Sequence, residues 1–213
     1  GVVHRQRTPV IQAWRFAELM GLSPEDRVYT AYPFFWTAGI AMALGATLAA
    51  GATLVLHEIF EPGEALALAA RERATSLQVW PHQAKAMAEH PDARRHDLGS
   101  VRKIEFKSPL GRLAGLEKDE WGIYSSYGMS ETFTLATALA ADTPAARRKG
   151  THAPPLPGSE VRIVDPHTGA ALPQGEKGEI AVKGLTLMSG YAKVEPELCL
   201  DAHGYFHTQD AGM

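Results

Sequence analysis

A single cysteine, Cys199, is the whole thiol inventory of the sequence. No internal disulfide can staple the chain, and one unpaired thiol fits a reducing, cytoplasmic compartment. A basic excess is missing as well: 21 Lys and Arg stand against 24 Asp and Glu, for a net charge of -3. That balance offers no field for a phosphate backbone, so no nucleic-acid partner is expected. Leu-rich runs of spanning length are also absent. The most apolar stretch, 38–56, is rich in alanine, contains Gly39, Gly45 and Gly51, and is split by a turn at Ala50–Gly51. It reads as a buried helix followed by a buried strand, and no transmembrane segment is expected. No signal peptide opens the sequence, and no internal repeat or low-complexity tract interrupts it. The Gly-x-x-x-x-Gly-Lys-Ser/Thr loop that cradles phosphates is absent too.

What is present suffices for a core. Of the 213 residues, 45% are apolar and 21% are charged, an ordinary globular balance. Up to about residue 135, strand and helix alternate. Val10, Ala13, Trp14, Ala17 and Met20 fall at helical spacing and Gly21 ends that helix. "RVYTAYP", "ATLVLHE", "TSLQVW", "VRKIEF" and "WGIYSSYG" read as strands. "AGIAMALGATLAAG", "PGEALALAARERA" and "PHQAKAMAEH" read as helices. Such alternation predicts an α/β fold, a mostly parallel sheet with helical cover, over residues 1–135. A linker-like segment follows at 136–158. Residues 159–213 then hold short strands, "SEVRIVD", "GEIAVKG" and "GYFHTQD", between Gly/Pro turns, and predict a small β-barrel-like subdomain.

The chemistry concentrates in "YGMSE", residues 127–131. It follows an apolar strand, and open α/β sheets bind ligands at such strand ends. Tyr127 offers a flat face for a purine, and Gly128 would let a ligand approach the backbone. Ser130 has a hydroxyl for a phosphate oxygen, and Glu131 a hard oxygen for magnesium. Taken alone, five residues fit a solvated bend equally well. His203 and His207 share a His-x-x-x-His spacing, but Gly204 and strand-like surroundings argue against a zinc pair. "ARRKG" reads as a solvated charged loop, with contact to a coenzyme A phosphate as the alternative.

"YGMSE" is followed by "GEKGEIAVKGLTLMSGY" and "GYFHTQDAG", and preceded by "GVVHRQ", "YPFFWTAGI" and "EHPDARRHDLGSVRKIEFKSPL". This ordered set resembles the adenylate-forming superfamily of acyl-CoA synthetases, adenylation domains and beetle luciferases, and the resemblance runs through essentially all 213 residues. It implies an ATP-dependent ligase that activates a carboxylic acid, fatty or aryl, and passes it to coenzyme A, with Mg2+ as the metal. Tyr127 would stack on adenine, with Gly128 and Met129 beside the nucleotide and acyl groups. Ser130, where the family has threonine, would bind the α-phosphate. Glu131 would hold the metal, and Asp210 the ribose hydroxyls. Phe34, Phe35, Trp36 and Gly39 would border the acyl pocket.

Four residues, in three places, depart from the family pattern. Phe106 and Lys107 occupy a glycine-rich turn, Trp36 stands for a histidine, and Gln209 replaces a glycine beside Asp210. The resemblance also implies a piece of a longer enzyme, starting after the phosphate loop, stopping before the C-terminal lysine, and inactive alone. Two other readings share the motifs: an adenylation domain that loads a carrier protein, and a non-catalytic binding protein. No aspartate in "YPFFWTAG" is available to pair with an amino-acid ammonium, which favours a fatty or aryl acid.

Overall fold

The computed structural model describes residues 1–123, 125–195 and 198–213. The first long element is α1 (Arg7–Leu19). It ends where Gly21 takes φ +58, with Leu22 N–H donating to Ala17 O and Gly21 N–H to Glu18 O. Those paired bonds are a Schellman closure, which needs a residue at ease in left-handed backbone. The expected stripe is buried only in part. Val10 and Trp14 are both 58% exposed, while Ala17 and Met20 are buried beside Thr8, Gln12 and Phe16. The inward stripe carries two polar residues, which apolar spacing does not reveal.

Strands β2 (Arg27–Thr30), β3 (Thr53–Val55) and β4 (Ser76–Gln78) form a parallel sheet in the order β3-β2-β4. Between the first two lies the expected helix, in two parts: a π-wound segment over Gly39–Gly45 and then α2 (Ala46–Ala49). Helices α3 (Pro62–Arg71), α4 (Pro81–Ala88) and α5 (Pro109–Leu113) follow. Each starts with proline, whose missing N–H costs nothing in a first turn. Tyr29, Val55, Leu66, Leu77, Met87 and Leu110 form the core between sheet and helices. The alternating α/β reading therefore holds. The strand expected in "VRKIEF" reduces to one parallel bridge, Ser76 with Lys103. Beneath it Asp26 is fully buried, accepting from Thr75 Oγ1 at 2.6 Å and Ser23 N–H at 2.9 Å, and paired with Lys103.

The strand expected over 121–128 contains Tyr124, outside the described residues, and is present as β5 (Ser126–Tyr127). It pairs antiparallel with β6 (Thr137–Ala138). The next segment holds a helical turn, α6 (Ala145–Arg148). Arg148 is not a solvated loop residue: its side chain is 10% exposed and pairs with Asp119 at 2.6 Å.

Strands β7 (Ser159–Val164), β8 (Gly178–Gly184) and β10 (Phe206–Gly212) form an antiparallel sheet in the order β10-β8-β7. It stays open at both edges, so the barrel-like expectation is corrected: no barrel closes among the described residues. The sequence reading missed α5, β6 and α6, and also β1 (Val2–Val3) and β9 (Gly190–Tyr191), which pair with each other. Two-residue strands carry no periodicity to read. No helix among the described residues is long and apolar enough to cross a membrane.

Candidate active site

The "YGMSE" motif begins in β5 and runs into a tight turn. Met129 N–H donates to Thr132 Oγ1 at 3.0 Å, and that hydroxyl donates back to Met129 O at 3.1 Å. Ser130–Thr132 form one 3-10 turn, after which Phe133 takes φ +50 and Thr134 φ +98. Side-chain residues pay for such angles, so something must hold them there. Gln12 does so from α1, donating Nε2 to Thr132 O at 3.0 Å, Phe133 O at 3.1 Å and Leu135 O at 2.8 Å. Gly128 fits the same turn. A Cβ there would lie 2.5 Å from Leu135 Cα and closer still to Thr134 O. The space a side chain would need is taken by the chain's own hairpin.

Two hollows flank this turn. On one side is an apolar cavity of about 330 Å³, lined among others by Tyr32, Ala38, Met42, Gln78, Trp80, Trp121, Ser126, Gly128 and Thr134. On the other side an open polar cleft of about 690 Å³ is lined by Met129, Glu131, Tyr191, Cys199, Asp201, Phe206 and Thr208, among others. The motif is the partition between them.

The partition is tied to distant elements. Tyr127 Oη donates to Asp210 Oδ2 at 2.6 Å, across 83 residues. Burial, and then this carboxylate, push the Tyr127 hydroxyl pKa well above its usual value. Tyr191 in β9 donates to Glu131 Oε1 at 2.7 Å. Burial and the Glu131 bond raise the Tyr191 pKa to about 12, so the phenol remains a donor at neutral pH. Met188 N–H holds Glu131 O at 2.7 Å, and His4 Nε2 lies 2.7 Å from Ser130 O. From β8, the Glu179 carboxylate takes Gln209 N–H of β10 at 2.7 Å and His207 Nδ1 at 3.1 Å. It thereby fixes the register shift between His207 and Ala211 that carries Asp210.

Of the residues singled out from the sequence, Tyr127 and Asp210 meet, Met129 and Glu131 share the cleft, and Gly128 lines the cavity. The Ser130 side chain is exposed and lines neither hollow. Phe34, Phe35, Trp36 and Gly39 are not brought into the cavity wall. Phe35 is 82% exposed, Trp36 packs its ring 6.2 Å from Trp80, and Gly39 is buried against the Pro33–Phe34 backbone. The wall instead uses Tyr32 and Ala38 of the same loop, and Met42 after it. Sequence reading also missed Tyr191, Gln12 and Gln78. Tyr191 stood in a quoted Gly-Tyr pair and could have been found, whereas the two glutamines have no apolar signature.

Magnesium favours oxygen ligands, usually one or two carboxylates with the remainder from substrate phosphates. Glu131, in the cleft with one oxygen taken by Tyr191, could supply the carboxylate of that sparse donor set. No group of three His, Cys, Asp or Glu side chains suited to a metal occurs among the described residues.

The family model for AMP-binding enzymes matches residues 1–192. The chain is 33% identical over 193 residues to a feruloyl-CoA synthase of an Amycolatopsis species, covering 89% of this chain and 39% of that protein. It is 29% identical over 203 residues to 4-coumarate–CoA ligase 4 of Arabidopsis thaliana, covering 91% of this chain and 35% of that one. Among solved structures, the amide bond synthetase McbA from Marinactinospora thermotolerans matches all of this chain and 44% of its own, at 32% identity and TM-score 0.73. The chain thus spans well under half the length of these relatives. Motif order, partitioned site and family model agree: the chain belongs to the AMP-binding enzymes, the adenylate-forming family.

Proposed function

We propose that these residues form the acid- and nucleotide-binding part of an ATP-dependent acyl-CoA synthetase, whose turnover belongs to a longer chain. The carrying observation is the partition: one five-residue turn separates an apolar cavity from a polar cleft. An acid held in the cavity presents its carboxylate at the turn, and a nucleotide held in the cleft presents its α-phosphorus there. A carboxylate oxygen attacks that phosphorus, pyrophosphate leaves, and an acyl-adenylate forms. The thiol of coenzyme A then attacks the acyl carbon, AMP leaves with the carboxylate oxygen, and a thioester results. Placing the two reactants on one partition supplies most of what such a step needs from a protein.

The roles are those the family resemblance implies. Tyr127 and Asp210 form the nucleoside end, with Asp210 passing from the tyrosine hydroxyl to the ribose hydroxyls. Glu131, oriented by Tyr191, would hold Mg2+, which supplies positive charge against the phosphate oxygens. Ser130 would meet the α-phosphate. Residues 1–135 and 159–213 would then serve as acid-side and nucleotide-side units, joined by 136–158. Phe34, Phe35 and Trp36 would act at the cavity rim rather than its wall. A cavity of about 330 Å³ lies at the small end for ligand sites. It suits an aryl or short acid better than a long fatty chain. The lone cysteine fits a cytoplasmic setting for this work.

One second reading has its own support. The likeness to McbA over the whole chain fits an acyl-adenylate passed to an amine, with an amide in place of the thioester. Product analysis separates the two.

Glu131→Gln in the full-length protein tests the main reading. The amide keeps the shape and loses the charge. Pyrophosphate release should fall by a hundredfold or more, on the order of 3 kcal/mol, with little change in thermal midpoint. An unchanged rate would remove Glu131 from the metal site and leave the cleft without a function.

A further inference from the structure

Gln78 closes β4 and is 3% exposed, inside a wall that is otherwise largely apolar. Its Nε2 donates to Met42 O of the π-wound segment at 3.1 Å and lies 3.4 Å from Met20 Sδ. Its Oε1 is buried and has no hydrogen-bond partner among the described residues. The amide cannot be reversed to cure this, because reversal would set Oε1 against the Met42 carbonyl, acceptor against acceptor. A buried acceptor without a donor is costly, and native proteins keep one where something else completes it. A second orphan, Thr134 Oγ1, lines the same cavity beside Gly128.

The two orphans sit on different walls. Thr134 belongs to the turn after the motif, where the acid's carboxylate arrives. Gln78 is bonded into the wall made by α1 and the π-wound segment. An acid with its carboxylate at the turn directs its other end to that second wall. We propose that Gln78 is a specificity-determining residue, and that the acid carries a hydroxyl or amino group on its non-reacting end that donates to Gln78 Oε1. This inference rests on the cavity being the acid site.

A matched pair of acids tests it: 3-(4-hydroxyphenyl)propanoate, and 3-(4-methylphenyl)propanoate, which has the same shape without the donor. In the full-length protein the hydroxyl acid should exceed the methyl acid by about tenfold or more in kcat/KM for pyrophosphate release. Gln78→Met should erase most of that advantage, bringing the kcat/KM ratio of the two acids towards one. Equal rates with both acids, or an equal loss on both in Gln78→Met, would overturn the inference. So would turnover confined to other acids, which leaves the synthetase reading standing. If no acid is adenylated, that reading fails. Fluorescence titration through Trp80 and Trp121 then decides on binding alone: tighter hydroxyl-acid binding, lost in Gln78→Met, sustains the role of Gln78, and equal binding ends it.

Discussion

Gln209 takes φ +62, a conformation that glycine adopts freely and a side chain adopts at a cost. Glutamate Glu179 holds it there by accepting its N–H, and accepts His207 Nδ1 with the other oxygen. The glycine that related sequences place at this position would therefore suit the same backbone. Gln209→Gly should stabilise the protein by about 0.5–1 kcal/mol in urea unfolding, because strain is relieved while the N–H bond is kept. His207 lies between Glu179 on β8 and Asp201, at 3.1 Å and 3.5 Å. Glu179 first, and then Asp201, raise the His207 pKa above 6.5 against a smaller effect of burial. A raised pKa means the contribution to stability is complete below the unfolded value and is lost as pH rises through the folded one. NMR titration should place the His207 midpoint above 6.5, and Glu179→Gln should bring it down. At this scale the sequence revealed Tyr127, Glu131 and Asp210, whose chemistry is visible in their residue types. It hid Gln12 and Gln78, because a buried glutamine looks like a surface residue until its partners are known.

Among elements, the parallel sheet is pinned at its N-terminal edge by Asp26. This carboxylate joins Ser23 N–H, the Thr75 hydroxyl and Lys103, the residue that extends the sheet beyond β4. Burial alone would raise its pKa, but the bonds from Lys103, Thr75 and Ser23 outweigh burial and lower it. Its stabilisation is thus whole at neutral pH and disappears only as pH falls below about 3.8, the ordinary value, through the lowered one. Asp26→Asn leaves Lys103 facing a neutral amide and should cost about 3 kcal/mol in denaturant unfolding at pH 7. Long elements were readable from the sequence, because α3, α4, β7 and β8 each carry a clear period or a bounding proline or glycine. The π-winding of 39–45 was not, since an added residue per turn leaves the apolar run unchanged. The buried stripe of α1 was legible only in part, for the reason that hid Gln12: its polar side chain anchors the motif from within the core.

For the molecule as a whole, the two halves of the site draw on different lengths of chain. Every residue lining the apolar cavity falls between Phe16 and Leu139. The polar cleft also needs Tyr191 to Gln209, and Glu131 is held by Tyr191 and Met188. Tyr191 is itself seated by Val2, its partner between β1 and β9. Contacts between β2, β3 and β4 close short loops, whereas this pairing closes nearly the whole sequence at once, with a larger entropy cost and a slower search. The order of assembly follows. A nascent chain released to residue 139 already contains the wall of the apolar cavity, while the polar cleft waits until residues beyond 190 emerge and return to Val2. Pulsed hydrogen exchange during refolding should protect the amides of 28–30 and 76–78 before those of 188–192. Simultaneous protection would show that both sides of the site arise in one event. If the amides separate as expected, the partition is raised from one side only, and a half-made protein has its apolar cavity walled before its polar cleft exists.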